Sequence, residues 1–161
     1  MWAQQLAHTI GKGLMAGFVG TAAMTVSSSL EAHLRGRNPS DAPARATAKL
    51  LGIASFEDDT AKARFSDLSH WGYGTGWGLI RGLLTAGGLR PLAATAAHGI
   101  SVWASAQIML PALEVAPPSI FWAKEEIAID ALHHTVYACA TGITYTLLDR
   151  PGPGHPQGAP T

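Results

Sequence analysis

The sequence predicts an all-α fold, a four-helix transmembrane bundle with a polar connector between its first and second helices. Three observations carry that expectation. Residues 13–30, 91–113 and 131–148 contain no Asp, Glu, Lys or Arg, and residues 68–89 are interrupted only by Arg81. A bilayer core of about 30 Å needs roughly 20 mostly apolar helical residues to cross it. Twelve of the 22 Asp, Glu, Lys and Arg residues fall within residues 31–67, and most of the others flank the apolar runs. The runs are also rich in Gly, Ala, Ser and Thr, the small residues that let helices approach closely in lipid. Composition by itself is silent, because a 47% apolar fraction is ordinary for a soluble domain. Distribution decides.

The spans are expected at about residues 13–33, 67–88, 91–111 and 125–148, within one integral membrane domain of residues 1–149. Residues 1–12 read as a short amphipathic lead with Trp2, Leu6 and Ile10 at helical spacing. A signal peptide is the rival reading of the first run, with Lys12 before it and Ser27, Ser28 and Ser29 after it. The run is long and glycine-rich for that purpose, so it is assigned to helix one. Gly13 and Gly17 form a small-residue pair, and Gly36, Asn38 and Pro39 stop the helix.

The connector, residues 34–66, opens on Ser40-Asp41-Ala42-Pro43, a cap for a short helix that Gly52 should end. Glu57-Asp58-Asp59 before Lys62 and Arg64 suggests a second helical entry, acidic first and basic later, as the helix dipole favours. Helix two carries Gly74, Gly78 and Gly82 at four-residue spacing, with Gly72 and Gly76 on an adjacent line. In lipid such a line makes a flat groove for another helix. Gly87, Gly88 and Pro91 turn the chain into helix three, Pro111 and Pro117-Pro118 close it, and Trp122 opens helix four. Residues 150–161, with four prolines and three glycines, are expected to be disordered.

Helix four holds the densest constellation. At 100° per residue Glu126, Asp130, His133 and Tyr137 share one strip with Thr141 and Thr144, and His134 lies at its edge. Ionisable groups are expensive in hydrocarbon, so this face should point inward. If Trp71, Pro111 and Trp122 mark one membrane face, then Arg81, His98, Asp130, His133 and His134 all fall about 12 to 19 Å deep. That places them in one buried polar layer in which Arg81 pairs with Asp130. His70-Trp71 reads as a headgroup-level anchor. Asp130-x-x-His133 also has the spacing of a metal-binding carboxylate and imidazole, but two-metal bundles use such a pair twice and no second copy exists. Haem held by His98 with His133 or His134 is a further reading; no cofactor is predicted.

The stretch Trp103-x-x-x-Gln107-x-x-x-Pro111-Ala112-Leu113-Glu114-Val115-Ala116-Pro117-Pro118, followed by Glu126, His133-His134 and Tyr137, resembles the helix-loop-helix end of small uncharacterised bacterial inner-membrane proteins of the YagU-like type. The resemblance covers mainly residues 68–149. Where such proteins tend to show Leu-Gly before the diproline, this chain has Leu113-Glu114. It implies a multi-pass protein of the bacterial inner (cytoplasmic) membrane and a helical bundle, and brings no chemistry with it.

Three functions of different class follow: a structural or accessory membrane protein, transport of a proton, ion or small solute through the polar layer, and a haem- or metal-binding protein. No phosphate loop, nucleophile elbow or zinc-protease pattern is present, which argues against an enzyme. The net charge of zero and the lack of a basic stripe exclude nucleic acid as an expected partner. The expected partners are the lipid bilayer, a second copy of the chain, or another membrane protein. Single Cys139 rules out an internal disulfide.

Overall fold

A computed structural model describes residues 2–38 and 40–150. The chain folds into five α-helices, with no strand among the described residues: α1 Trp2–Arg35, α2 Ala42–Leu51, α3 Asp59–Ala86, α4 Pro91–Ala112 and α5 Lys124–Leu148. Residues 151–161 of the tail expected to be disordered and the Pro39 stop signal lie outside the described residues. Local chemistry explains most boundaries. Gly52, with φ of 70°, ends α2 in the left-handed conformation, and the Asp58 carboxylate caps α3 by accepting from the Ala61 amide at 2.7 Å. Pro91 starts α4 at its first turn, where the missing N–H has no helical partner to lose.

Two boundaries differ from the sequence reading. The expected lead is part of one continuous 34-residue α1, since nothing between Trp2 and Gly13 breaks a helix. The second helical entry of the connector is the first turn of α3, which starts at Asp59 and runs 28 residues without a break. On length and apolar composition one helix, α1, qualifies to cross a membrane. The glycines, histidines and tyrosines of α3 and α5 dilute their apolar character.

The four long helices form an up-down-up-down ring: α1 packs against α3 and α5, and α4 closes the ring against the same two. Their register is read from contacts. Gly13 and Gly17 of α1 abut Gly78 of α3 so closely that a Cβ on Gly78 would sit 2.7 Å from Gly17 Cα. Farther along the same seam, the space beside Gly74 is filled by the Thr21 side chain. Along α1 and α5, Arg35 meets Glu126 at 2.6 Å at one end and Lys12 meets Asp149 at 2.9 Å at the other. These pairs bracket a four-helix section about 35 Å long. At the first end α2 straps the bundle, with Arg45 Nη2 donating to the Val115 carbonyl at 2.7 Å.

The burial pattern of this section is inverted relative to a bundle that folds in water. Among the described residues no Leu, Ile, Met, Phe or Trp is buried. The interior is built from Ala, Gly, Val102, Val115, Tyr137 and Tyr145, together with Thr21, Ser69, Arg81, His98, His133 and Thr141. The largest fully buried side chains are Arg81, His98, Thr21 and Thr141. The large aliphatic and aromatic side chains point out, among them Met15, Phe18, Val26, Ile100, Ile108 and Ile143.

Candidate functional site

The buried polar residues do not form one layer; they occupy three tiers along the bundle. Their levels follow from Tyr137 of α5, whose hydroxyl donates to the Gly74 carbonyl of α3 at 2.6 Å. The two helices run parallel. Arg81 lies seven residues beyond Gly74 and Asp130 seven residues before Tyr137, which separates them by about 21 Å along the axis. The expected Arg81–Asp130 pair is therefore corrected. The error lies in the assumed reference plane: Trp71 is three residues before Gly74, whereas Trp122 is fifteen before Tyr137. The two tryptophans differ in level by about 18 Å. α3 and α5 start at nearly the same level, but Trp71 lies twelve residues into α3 whereas Trp122 precedes α5, an offset no local pattern reveals.

The first tier lies near the strapped end. Arg35 bridges Glu126 and Glu31, and Arg37 also bonds Glu31. Bonds to Glu126 first, and then to Glu31, raise the Arg35 guanidinium further above its already high range. Glu126 is thus a half-exposed ion-pair partner at the end of the bundle and not a member of a buried layer. One to two turns inward, buried His133 shares a 2.8 Å hydrogen bond between its Nδ1 and Ser27 Oγ, while its Nε2 lies 3.7 Å from Glu31 Oε2. Asp130 faces the other way, into the α4–α5 seam, where its Oδ2 accepts from Trp103 Nε1 at 2.8 Å and Gln107 Nε2 at 3.1 Å. His134 turns its Nδ1 to the Asp130 carbonyl of its own helix at 2.8 Å.

Asp130 and His133 therefore serve different neighbours and do not converge as metal ligands. The three-residue offset puts them on one face of an isolated helix, but that face straddles two seams here. No group of three or more His, Cys, Asp or Glu positioned for a metal occurs among the described residues.

The middle tier holds Tyr137, His98 and Thr141. His98 is 0% exposed; its Nε2 lies 3.1 Å from the Trp77 carbonyl and its ring packs on Tyr137 with centroids 5.5 Å apart. His98 Nδ1, His133 Nε2 and Thr141 Oγ1 are buried with no hydrogen-bond partner among the described residues. His70 also departs from its expected place. It bonds Thr25 Oγ1 at 2.8 Å inside the bundle, and Trp71 stacks on Phe18 at 5.0 Å between centroids. Both lie about 12 Å inward of the strapped end.

The third tier is Arg81, 1% exposed. Its guanidinium bonds the hydroxyls of Thr85, Thr95 (3.3 Å) and Thr146 (3.5 Å) and the Pro91 carbonyl (3.3 Å), and lies 4.8 Å over the Tyr145 ring. Every one of these partners is neutral. Sequence reasoning missed Ser27, Glu31 and the threonines around Arg81. The four-residue spacing of Glu31 and Arg35 was a usable signal for an ion pair, whereas threonines in an apolar helix carry no signal of their partner.

No protein-family model, curated protein or solved structure matches the chain. The class of protein is set by its own geometry: an all-α, up-down-up-down helical bundle with polar side chains inside and large apolar ones outside.

Proposed function

We propose that the chain is a multi-pass protein of the bacterial inner membrane, its four long helices spanning the bilayer, and that its role is structural or accessory rather than enzymatic. The observation that carries this reading is the inverted burial. In water, exposing the large apolar side chains of four helices while burying arginine, histidine and threonine would forfeit most of the driving force for folding. In lipid the same arrangement is favourable, since small residues provide helix contact and polar ones must face protein. The four-helix section, about 35 Å between its bracketing ion pairs, is also close to the bilayer core in length. The bacterial location rests on the resemblance to the YagU-like proteins. Structural use of the polar tiers accords with their bonds, most of which tie one helix to the next.

Cys139 supplies the test. It is exposed at mid-height on α5, two residues past Tyr137, where the bilayer centre would lie. In intact vesicles a charged, water-soluble maleimide should leave Cys139 unmodified and should label it once the protein is denatured. A cysteine placed at Arg64 in a Cys139→Ser background should label in vesicles opened to both faces. Rapid labelling of Cys139 in a protein recovered without detergent would refute the membrane reading.

A second reading is favoured by one observation, the three buried polar atoms without partners. His133, Tyr137 and Thr141 follow one another at one-turn spacing along α5 on the side facing α1, a seam along which a proton or small ion could be passed. That reading requires a flux in reconstituted vesicles that is lost in Tyr137→Phe or His133→Gln. A protein that folds and gives no flux across a pH or ion gradient leaves the structural role standing.

A further inference from the structure

We propose that Glu31 and His133 form a proton-operated clasp between α1 and α5, in which a proton taken up by His133 draws the Glu31 carboxylate away from Arg37 and frees the start of the connector. One buried atom is left unanswered at this place. His133 is 6% exposed and its Nδ1 is bonded to Ser27 Oγ at 2.8 Å, but its Nε2 has no hydrogen-bond partner, although Glu31 Oε2 lies 3.7 Å away. At that distance a ring N–H and a carboxylate face each other without a bond.

The position of each proton follows from this arrangement. A lone pair on Nε2 would point at an anion in a buried seam, so the neutral ring carries its proton on Nε2 and the Ser27 hydroxyl donates to Nδ1. A second proton, taken at Nδ1, requires Ser27 Oγ to accept instead. It can do so, because a helical serine can turn its own proton to the carbonyl one turn back, as Thr21 and Thr25 already do on α1. Both ring N–H groups then have an acceptor, Ser27 Oγ and Glu31 Oε2, and the second contact becomes a charge-assisted bond that closes to about 2.8 Å. The site is complete for an imidazolium and incomplete for an imidazole.

The competition falls on Arg37. Glu31 Oε2, the oxygen that faces His133, also accepts from Arg37 Nη2, while Oε1 accepts from Arg37 Nε at 3.0 Å and Arg35 Nη1 at 3.2 Å. Arg35 keeps a second carboxylate, Glu126, at 2.6 Å, whereas Arg37 has no other. Arg37 follows Gly36, whose φ of 63° turns the chain out of α1, so its bonds to Glu31 fold the first residues of the connector back on the helix. Nothing else competes for the imidazolium. On α5, Asp130 and His134 are turned to the α4 seam, Glu126 to Arg35 and Tyr137 to the Gly74 carbonyl. On α3, His70 is level with His133 but bonded to Thr25, and Asp67, one turn farther out, is exposed. α4 has no charged residue, and its single histidine, His98, lies in the middle tier.

The test reads the full chain by NMR in micelles between about pH 8 and about pH 5, with isotope-labelled histidine rings and the Gly36 and Arg37 amides as reporters of the connector. His133 should begin with its proton on Nε2 and gain the second one in this range, and the two amides should move with the same midpoint. Glu31→Gln should weaken proton uptake by His133 about tenfold, since an opposite charge within about 4 to 6 Å is worth about one pH unit or more. It should also leave the Gly36 and Arg37 amides at their acid positions throughout, a readout that survives if His133→Gln does not fold. His133→Gln should abolish the connector titration, and His33→Gln, which removes an exposed histidine beside the connector, should leave it in place. A His133 midpoint unmoved by Glu31→Gln, a ring still neutral at the acid end, or amides that follow His33 would each overturn the proposal.

Discussion

Gly76→Ala and Gly78→Ala, the same substitution two residues apart on α3, should shift stability in opposite directions. A Cβ at Gly78 would lie 2.7 Å from both the Cα and the amide nitrogen of Gly17, and its neighbours there are backbone, which cannot rotate aside. Ordinary carbon contacts need about 3.5 to 4.0 Å, so α1 must retreat by about 1 Å. That retreat opens the whole seam, where Gly13, Gly17 and Thr21 meet Gly78 and Gly74. Overpacking of this kind costs about 1 to 3 kcal/mol, part of it offset by the better helix propensity of alanine, worth up to about 1 kcal/mol. The net expectation for Gly78→Ala is a loss of about 1 kcal/mol. At Gly76 a Cβ would meet nothing within 4 Å, so only the propensity gain remains, about 0.5 to 1 kcal/mol. The two variants should differ by about 2 kcal/mol, the overpacking cost alone, in a reversible unfolding titration in mixed micelles. Equal stabilities would refute the α1–α3 contact and the register derived from it.

Other expectations follow from the same coordinates. Arg81→Leu and Asp130→Leu should destabilise additively in a double-mutant cycle, because the two sites share no partner and stand about 21 Å apart; a coupling above about 1 kcal/mol would restore the direct pair. Glu114→Gly should stabilise by about 1 kcal/mol, since Glu114 holds a left-handed φ of 52° that glycine adopts freely, and its 3.5 Å contact with Lys49 is exposed and weak. A neutral or lower midpoint in thermal unfolding would count against the strained corner. Tyr137→Phe should cost about 0.6 to 1 kcal/mol by removing the hydroxyl bond to the Gly74 carbonyl, read in the same titration; no change would mean that this bond does not hold α5 to α3.

What the sequence determined by itself is local. The charge-free runs, the Asp58 cap, Pro91 at a helix start and Gly52 at a helix end are rules about neighbours in the chain, and they place the turns and most helix ends within a few residues, although α1 and α3 start at Trp2 and Asp59, well before the expected positions near 13 and 67. The inward face of α5 was legible in part: His133, Tyr137 and Thr141 are buried, but Glu126 is not. What only the tertiary structure decided is how far each helix slides against the next. That offset is set by glycine contacts across the α1–α3 seam and by ion pairs at the two ends, made between residues up to 137 positions apart. A sliding error of twelve residues moves a side chain by about 18 Å and replaces every partner it has. Arg81 therefore sits among threonines near one end of the bundle, Asp130 beside Trp103 and Gln107 near the other, and the polar tiers are three because packing distributes along the axis what helical periodicity alone had gathered on one face.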